Sequence, residues 1–438
     1  MTIGLVAILV CAPCFIHSSK AQGLESQMQQ LFSIADEHNT SIQSYRTALE
    51  KAQLDIDAAK QQRLPDVNTS LSVSYIGTAQ LFNRDMSYYG NPDLPHWGNY
   101  FTLEAQQVLY SGGALTSGIR LAELGKEMNV LDETSGKQGV HMLLAGLLLQ
   151  YKQLQNRLNV VEQNITLTDD LLKKTRDRHQ QGLILKNDIT RYELLREQMT
   201  LAKTTIKDGM SVIEKQMQTA VGTSSLPGLS QDSNDYEEFA AKYSAISEQT
   251  WQDKTLVGSS SLQKAMTAIE MEKQKEKLVR SASLPKVAVV ASENLNGPNI
   301  INVPALDKNV NYWYVGVGIT YDISSLYKNK KKVQSAATST KYAHEQREVA
   351  KEGISDAVHA AYVGLQTAQA ELATRKKSVE LSQQNYETVS NRYNEGLAIV
   401  TDMTDAANVR LDAELQLVDA RIAVAMAIYR LKYLCGEI

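Results

Sequence analysis

The frame Arg-x-x-x-Gly-Leu-x-x-x-x-Asp occurs twice in this chain, from Arg178 to Asp188 and again from Arg392 to Asp402. Each copy interrupts a long run of helical periodicity. Gly182 and Gly396 fall where a helix end needs a residue free to take positive φ, and Asp188 and Asp402 fall where the next helix gains from an N-cap or first-turn carboxylate. The chain therefore turns two helical hairpins around two Gly-Leu tips. Such a duplication makes one double-length unit a better expectation than a string of unrelated domains.

Residues 1–21 read as an export signal. Ile3 to Ile16 is an apolar run, and Ser19-Lys20-Ala21 offers small residues before a cut after Ala21. Lipidation at Cys11 or Cys14 is the second reading, although neither follows a good lipobox. Cleavage would leave Cys435 as the single cysteine, so packing rather than a disulfide would hold the protein together.

The first repeat is expected over residues 22–222. Leu31, Ile34, Ile42, Tyr45, Leu49, Ala52 and Ile56 recur at helical steps until Leu64-Pro65 stops the run. The period then changes to two, predicting strands over 66–76 and 99–110. Val67, Leu71, Val73 and Tyr75 alternate with Asn68, Ser70, Ser72 and Ser74, and Phe101 and Leu103 with Thr102 and Glu104. A long helix follows over 116–181, with Val140, Leu144, Leu147, Tyr151, Leu154, Leu158 and Val161 in a heptad seam. As one helix it would reach about 100 Å, more than a compact domain needs. The tip at 182–188 leads to a helix over 189–221, and residues 223–250 read as a linker with room for small helices.

The second repeat, 251–438, runs in the same order. Leu284-Pro285 precedes strands over 286–293, carrying Val287 and Val289, and over 311–323. In the latter Trp313, Val315, Val317, Ile319 and Tyr321 alternate with Tyr312, Tyr314, Gly316, Gly318 and Thr320. A long helix over 327–395, a tip at 396–402 and a helix over 403–434 complete it.

Composition narrows the function classes. Lys+Arg of 45 nearly balances Asp+Glu of 49, which gives no reason to expect nucleic-acid binding. A mean hydropathy of -0.30 excludes a polytopic helical membrane protein but not a membrane β-barrel, whose signal is alternation. No His-Glu-x-x-His, Walker A or Gly-x-Ser-x-Gly sequence is present, so neither an enzyme nor a cofactor is expected.

Four strands with one apolar face suit a wall between lipid and water, yet four cannot close a barrel. Open edges in a bilayer leave costly unpaired N–H and C=O groups. Three copies would give twelve strands and a passage, so a homotrimer is expected. Lys328, Lys330, Lys331 and Lys332 open a helix, where cations oppose the dipole. Either they form a solvated first turn or they meet anionic headgroups at the barrel's periplasmic side.

On these features the sequence resembles the TolC-like outer-membrane efflux factor family. They are the duplicated element order, the Leu-Pro before each strand pair, Leu109-Tyr110-Ser111-Gly112-Gly113 after the second strand, and the two tips. The resemblance implies a mainly α fold with a small membrane β part, a trimeric twelve-stranded barrel continued by a periplasmic coiled-coil tunnel, and an outer-membrane location. It also implies a role as exit duct for a tripartite efflux pump or type I secretion system, with a periplasmic adaptor, an inner-membrane pump and outer-membrane lipids as partners. By the same resemblance Arg178, Gly182, Leu183, Arg392, Gly396 and Leu397 would form adaptor-docking tips, and Asp402 and Asp405 a closed aperture. The plainer reading of Asp402 is a helix cap. The first tip departs from the pattern, with Arg191 three residues after Asp188, and Ser324-Ser325-Leu326-Tyr327 lacks the double glycine. The rival reading is a periplasmic adaptor or coiled-coil interaction protein without a pore.

Overall fold

The computed structural model describes residues 23–227, 235–299 and 306–438; the expected signal at 1–21 lies outside them. Helices α1 (Leu24–His38) and α2 (Thr40–Gln61) precede strand β1 (Asp66–Tyr75). A small ribbon, β2 (Leu81–Phe82) with β3 (Tyr88–Gly90), interrupts the connection to β4 (Trp97–Tyr110), and α3 (Ala114–Gln180) and α4 (Lys186–Val221) form the first hairpin. Between the halves stand α5 (Asp235–Ser244) and α6 (Glu248–Gly258). Then come α7 (Ser260–Ser281), β5 (Lys286–Gly297), β6 (Val310–Thr320), α8 (Ser325–Lys328), α9 (Lys330–Asn394) and α10 (Val400–Leu434).

Several boundaries differ from the sequence reading, each for a local reason. The helical run expected from Leu24 to Leu64 breaks at Asn39, whose Oδ1 accepts the backbone N–H groups of Ser41 at 2.8 Å and Ile42 at 3.1 Å, and so caps α2. Its Nδ2 donates to the Ala220 carbonyl at 2.6 Å, which fixes the break against the end of α4. The stretch expected as a linker contains α5 and the start of α6. β5 continues to Gly297 instead of ending at 293, because β4 supplies partners along its whole length, Phe101 opposite Leu295 and Asn99 opposite Gly297. β6 stops at Thr320, leaving Tyr321 outside the ladder. There Asp322 makes the turn that a glycine pair makes in the first half: its carboxylate accepts the Ser324 N–H at 3.0 Å and hydroxyl at 2.7 Å.

The chain divides into two compact units, each drawing on both halves of the sequence. The helical unit runs to Gln43 and takes in Lys137–Gly258 and Ser355–Ile438. Its main core joins Leu31 and Ala35 of α1 to Leu144 and Leu148 of α3, Met217 and Val221 of α4, Trp251 of α6, and Ile428 and Tyr429 of α10. Burying an aliphatic or aromatic side chain of this kind stabilises by roughly 1.5–3 kcal/mol. α4 ends at Gly222, whose φ of 83° continues the chain in the left-handed region. A Cβ there would collide with the His38 carbonyl, so the close approach of α1 and α4 requires glycine. Cys435 is buried beside Thr255, Oγ1 to Sγ 3.1 Å, and burial pushes its thiol above the usual range, away from reactivity.

The strand unit, Ser44–Gly136 with Ser259–Ile354, is built on an antiparallel sheet in the order β1-β4-β5-β6. The two strands of each half are joined through β4 and β5, so the duplication becomes one continuous ladder. β1 and β6 form its edges.

Candidate functional sites at the helical tips and the strand wall

Register decides which side chains share a face of the sheet, since directly opposed residues point the same way. Tyr75 lies opposite Trp97, Leu71 opposite Phe101 and Val67 opposite Ala105. Across the next ladders Phe101 meets Leu295 and Leu103 meets Glu293, while Val287, Val289, Ala291 and Glu293 meet Ile319, Val317, Val315 and Trp313. One face therefore collects Val67, Leu71, Val73, Tyr75, Phe101, Leu103, Val287, Val289, Trp313, Val315, Val317 and Ile319. It is widely exposed, at 68% for Val73 and 72% for Trp313. Of the residues expected on this face only Tyr321 lies beyond the strands.

The opposite face is polar. Thr102 Oγ1 lies 3.2 Å from Asn294 Oδ1, and Asn294 donates to Ser292 at 2.9 Å. Sequence reading missed two aromatic or aliphatic members of the apolar face, Trp97 and Leu295, and one charge, Glu293. Leu295 lies beyond the expected end of that strand at 293, whereas Glu293, its last residue, is flanked in the ladder by Leu103 and Trp313.

The two tips, both in the helical unit, have the same backbone. In the first, Gly182 has a φ of 75°, its N–H donates to His179 at 2.9 Å, and Leu183 donates to the Arg178 carbonyl at 3.0 Å. In the second, Gly396 has a φ of 78°, its N–H donates to Tyr393 at 3.2 Å, and Leu397 donates to Arg392 at 2.8 Å. Each is a Schellman-type helix end, in which the left-handed residue lets two orphan carbonyls find donors. Asp188 and Asp402 then accept the N–H groups of Leu185 and Ile399, both at 3.2 Å, closing the next helix from its third position. Asp402 is thus a cap, and its exposed side chain, like that of Asp405 one turn on, also faces solvent.

The side chains diverge. Arg178 leaves its own tip and crosses to the other, donating to the carbonyls of Tyr393 at 3.2 Å and Asn394 at 3.0 Å with its guanidinium 5.0 Å from the Tyr393 ring. It supplies donors and positive charge at the C-terminal end of α9, where both are favourable. Arg392, its counterpart, only reaches the Leu397 carbonyl of its own turn at 3.4 Å. Arg191, which stands where the second tip has Asp405, donates to Thr401 Oγ1 at 2.9 Å. Beneath these bonds Leu172, Tyr192, Tyr393, Val400 and Met403 form a separate small core, and burial drives the Tyr192 hydroxyl well above its ordinary pKa.

Further along the helices Arg410 is buried, 6% exposed, with its guanidinium stacked 4.2 Å from the Tyr386 ring. It donates to Asn164 Oδ1 at 3.0 Å and lies 3.4 Å from Glu414, which also accepts from Asn164 at 3.0 Å. A charged group so enclosed needs such partners, and its Nε, without a hydrogen bond, faces Glu414 as an ion pair. The heptad seam gave no sign of it, because arginine reads as a surface residue in a periodicity count.

Exposed at the tips are Leu183 at 68% and Leu397 at 65%, with Leu185 and Ile399 beside them. No described helix is long and apolar enough to cross a membrane.

With this arrangement in view, comparison places the chain among channels rather than enzymes. The family model for outer membrane efflux proteins matches residues 31–205 and 251–437, so the chain belongs to that family and is an outer-membrane protein of the efflux-channel class. Its fold is similar to that of the outer membrane protein VceC from Vibrio cholerae, at 16% identity and a TM-score of 0.74 over 94% of this chain and 96% of that one. It is similar likewise to CusC, described for transmembrane channel formation, at 15% identity and a TM-score of 0.76 over 95% and 93%. The CmeC outer membrane channel of Campylobacter jejuni gives 13% identity and a TM-score of 0.71 over 100% and 94%. No curated protein matches the sequence.

Proposed function

We propose that three copies of this chain close a twelve-stranded barrel in the outer membrane and form, with their helices, an exit duct reaching into the periplasm for a tripartite efflux pump or type I secretion system. The single observation that carries this is the open sheet β1-β4-β5-β6, apolar on one face and polar on the other, with an unpaired strand at each edge. In a bilayer each unpaired backbone group costs several kcal/mol, and pairing β6 of one copy with β1 of the next removes that cost around the ring. The apolar face would meet lipid and the Ser, Thr and Asn face would wet the lumen.

The exposed Leu183 and Leu397, with Gly182, Gly396, Arg178 and Arg392, are the surface a periplasmic adaptor would engage. Asp402 and Asp405 would bring six carboxylates to one constriction and favour cations over anions. The reading is tested by fractionation and planar-bilayer recording. A heat-resistant trimer in outer membranes that conducts ions supports it, and a soluble monomer defeats it. Asp405→Asn should reduce cation preference without altering assembly; an unchanged reversal potential removes Asp405 from the aperture.

A further inference from the structure

The four sheet strands meet the helices at one end of the sheet, where β1 begins, β4 ends, β5 begins and β6 ends, with Lys286 opposite Thr320 in the ladder. Just past that end the chain exposes an apolar trio, Ile323 at 68%, Leu326 at 60% and Tyr327 at 69%. It then exposes four cations, Lys328 and Lys330 to Lys332. The segment is held firmly: Asn329, buried between the lysines, donates to the Val279 carbonyl and to Ser283 Oγ, both at 2.8 Å. Among the described residues none of the four ammonium groups lies within ion-pair distance of a carboxylate; Lys331 reaches only Gln334, at 3.2 Å. The near carboxylate, Asp322, accepts hydrogen bonds in the turn at Ser324 and interacts with Lys328 only through space, beyond ion-pair distance.

Lys328 ends the short helix α8, where a cation is tolerated, but nothing in helix energetics explains Lys330, Lys331 and Lys332 in the first turn of α9, which disfavours them. We propose that this collar binds the phosphate headgroups of anionic phospholipids in the periplasmic leaflet. Ile323, Leu326 and Tyr327 would sit at the acyl boundary and the lysines among the phosphates. Two observations choose this occupant. The exposed apolar trio follows within a few residues of the end of β6, whose apolar face the barrel reading turns to lipid, and the charge next to it has the sign that an anionic leaflet attracts. The proposal rests on the barrel reading above.

The test uses the full-length protein in detergent supplied with equal phosphatidylglycerol and phosphatidylcholine, the retained lipid being counted by native mass spectrometry. The natural protein should retain phosphatidylglycerol preferentially, and Lys328→Gln, Lys330→Gln, Lys331→Gln and Lys332→Gln together should lower that preference about tenfold or more. The matching four Lys→Arg changes should keep it, and free inorganic phosphate should not displace the lipid. A conducting oligomer with no preference for the anionic lipid, or one whose preference survives the glutamine changes, overturns the collar and leaves the channel standing. Absence of any membrane-inserted oligomer overturns both. Should the glutamine variant fail to assemble, preference in the natural protein abolished by 0.5 M salt supports the collar and persistence at that salt overturns it, as screening dictates.

Discussion

The two tips are the same turn put to different uses. Gly182 and Gly396 take nearly equal φ, the same pair of backbone hydrogen bonds ends each helix, and an aspartate closes each following helix at the same distance. The first tip, however, sends two arginines outward to the second, Arg178 to the carbonyls that end α9 and Arg191 to Thr401, while the second returns none. Duplication therefore preserved the backbone device and let the side chains specialise. One tip acts as a clamp and the other as the clamped end, whose Asp402 and Asp405 stay exposed.

That asymmetry can be broken in graded steps. The largest effect is expected not at the tips but at Arg410. Arg410→Ala leaves the buried Asn164 side-chain carbonyl without its donor and the part-buried Glu414 without its cation, and should cost about 2–4 kcal/mol, read as a fall in the melting temperature of the oligomer. A loss as small as that of an exposed arginine would mean the seam is wet there. Next, Arg178→Ala removes two charge-assisted bonds and should loosen residues 393–397 by about 1.5–3 kcal/mol in hydrogen exchange. Arg392→Ala should change the same amides by less than about 1 kcal/mol. Equal effects of the two would erase the distinction between clamp and clamped.

Gly182→Ala and Gly396→Ala test the shared part. Both sites are open in space and strained only by φ, so each should cost about 1–2 kcal/mol, alike at the two tips. Unequal costs would show that the backbones differ. A small change is likewise expected for Arg191→Ala, whose single exposed bond to Thr401 should be worth about 0.5–1.5 kcal/mol by local exchange of the first turn of α10.

The strand wall offers a related contrast between what alternation can show and what register adds. Val67 to Tyr75 and Trp313 to Ile319 could be assigned to one face from period alone. Leu295 could not, since its place opposite Phe101 depends on β5 running past the end that the sequence suggested. Residues 223–250 read as a linker with room for small helices, and what the sequence could not show is that α5 and α6 are held by Tyr236, Phe239 and Trp251 entering the main core rather than by their own propensity.

The sequence by itself determined the duplicated order, the switch from helical to strand period, the Gly-Leu turns and the apolar face of the wall. All of these are written in neighbours a few residues apart, through φ, capping and periodicity. Only the tertiary structure decided that Arg178 serves the other tip, that Arg410 is buried, that Asn39 stops a helix against α4, and that each compact unit takes segments from both halves. These are pairings between distant positions, chosen by which surfaces can pack and which polar groups find partners, and local pattern carries no record of them.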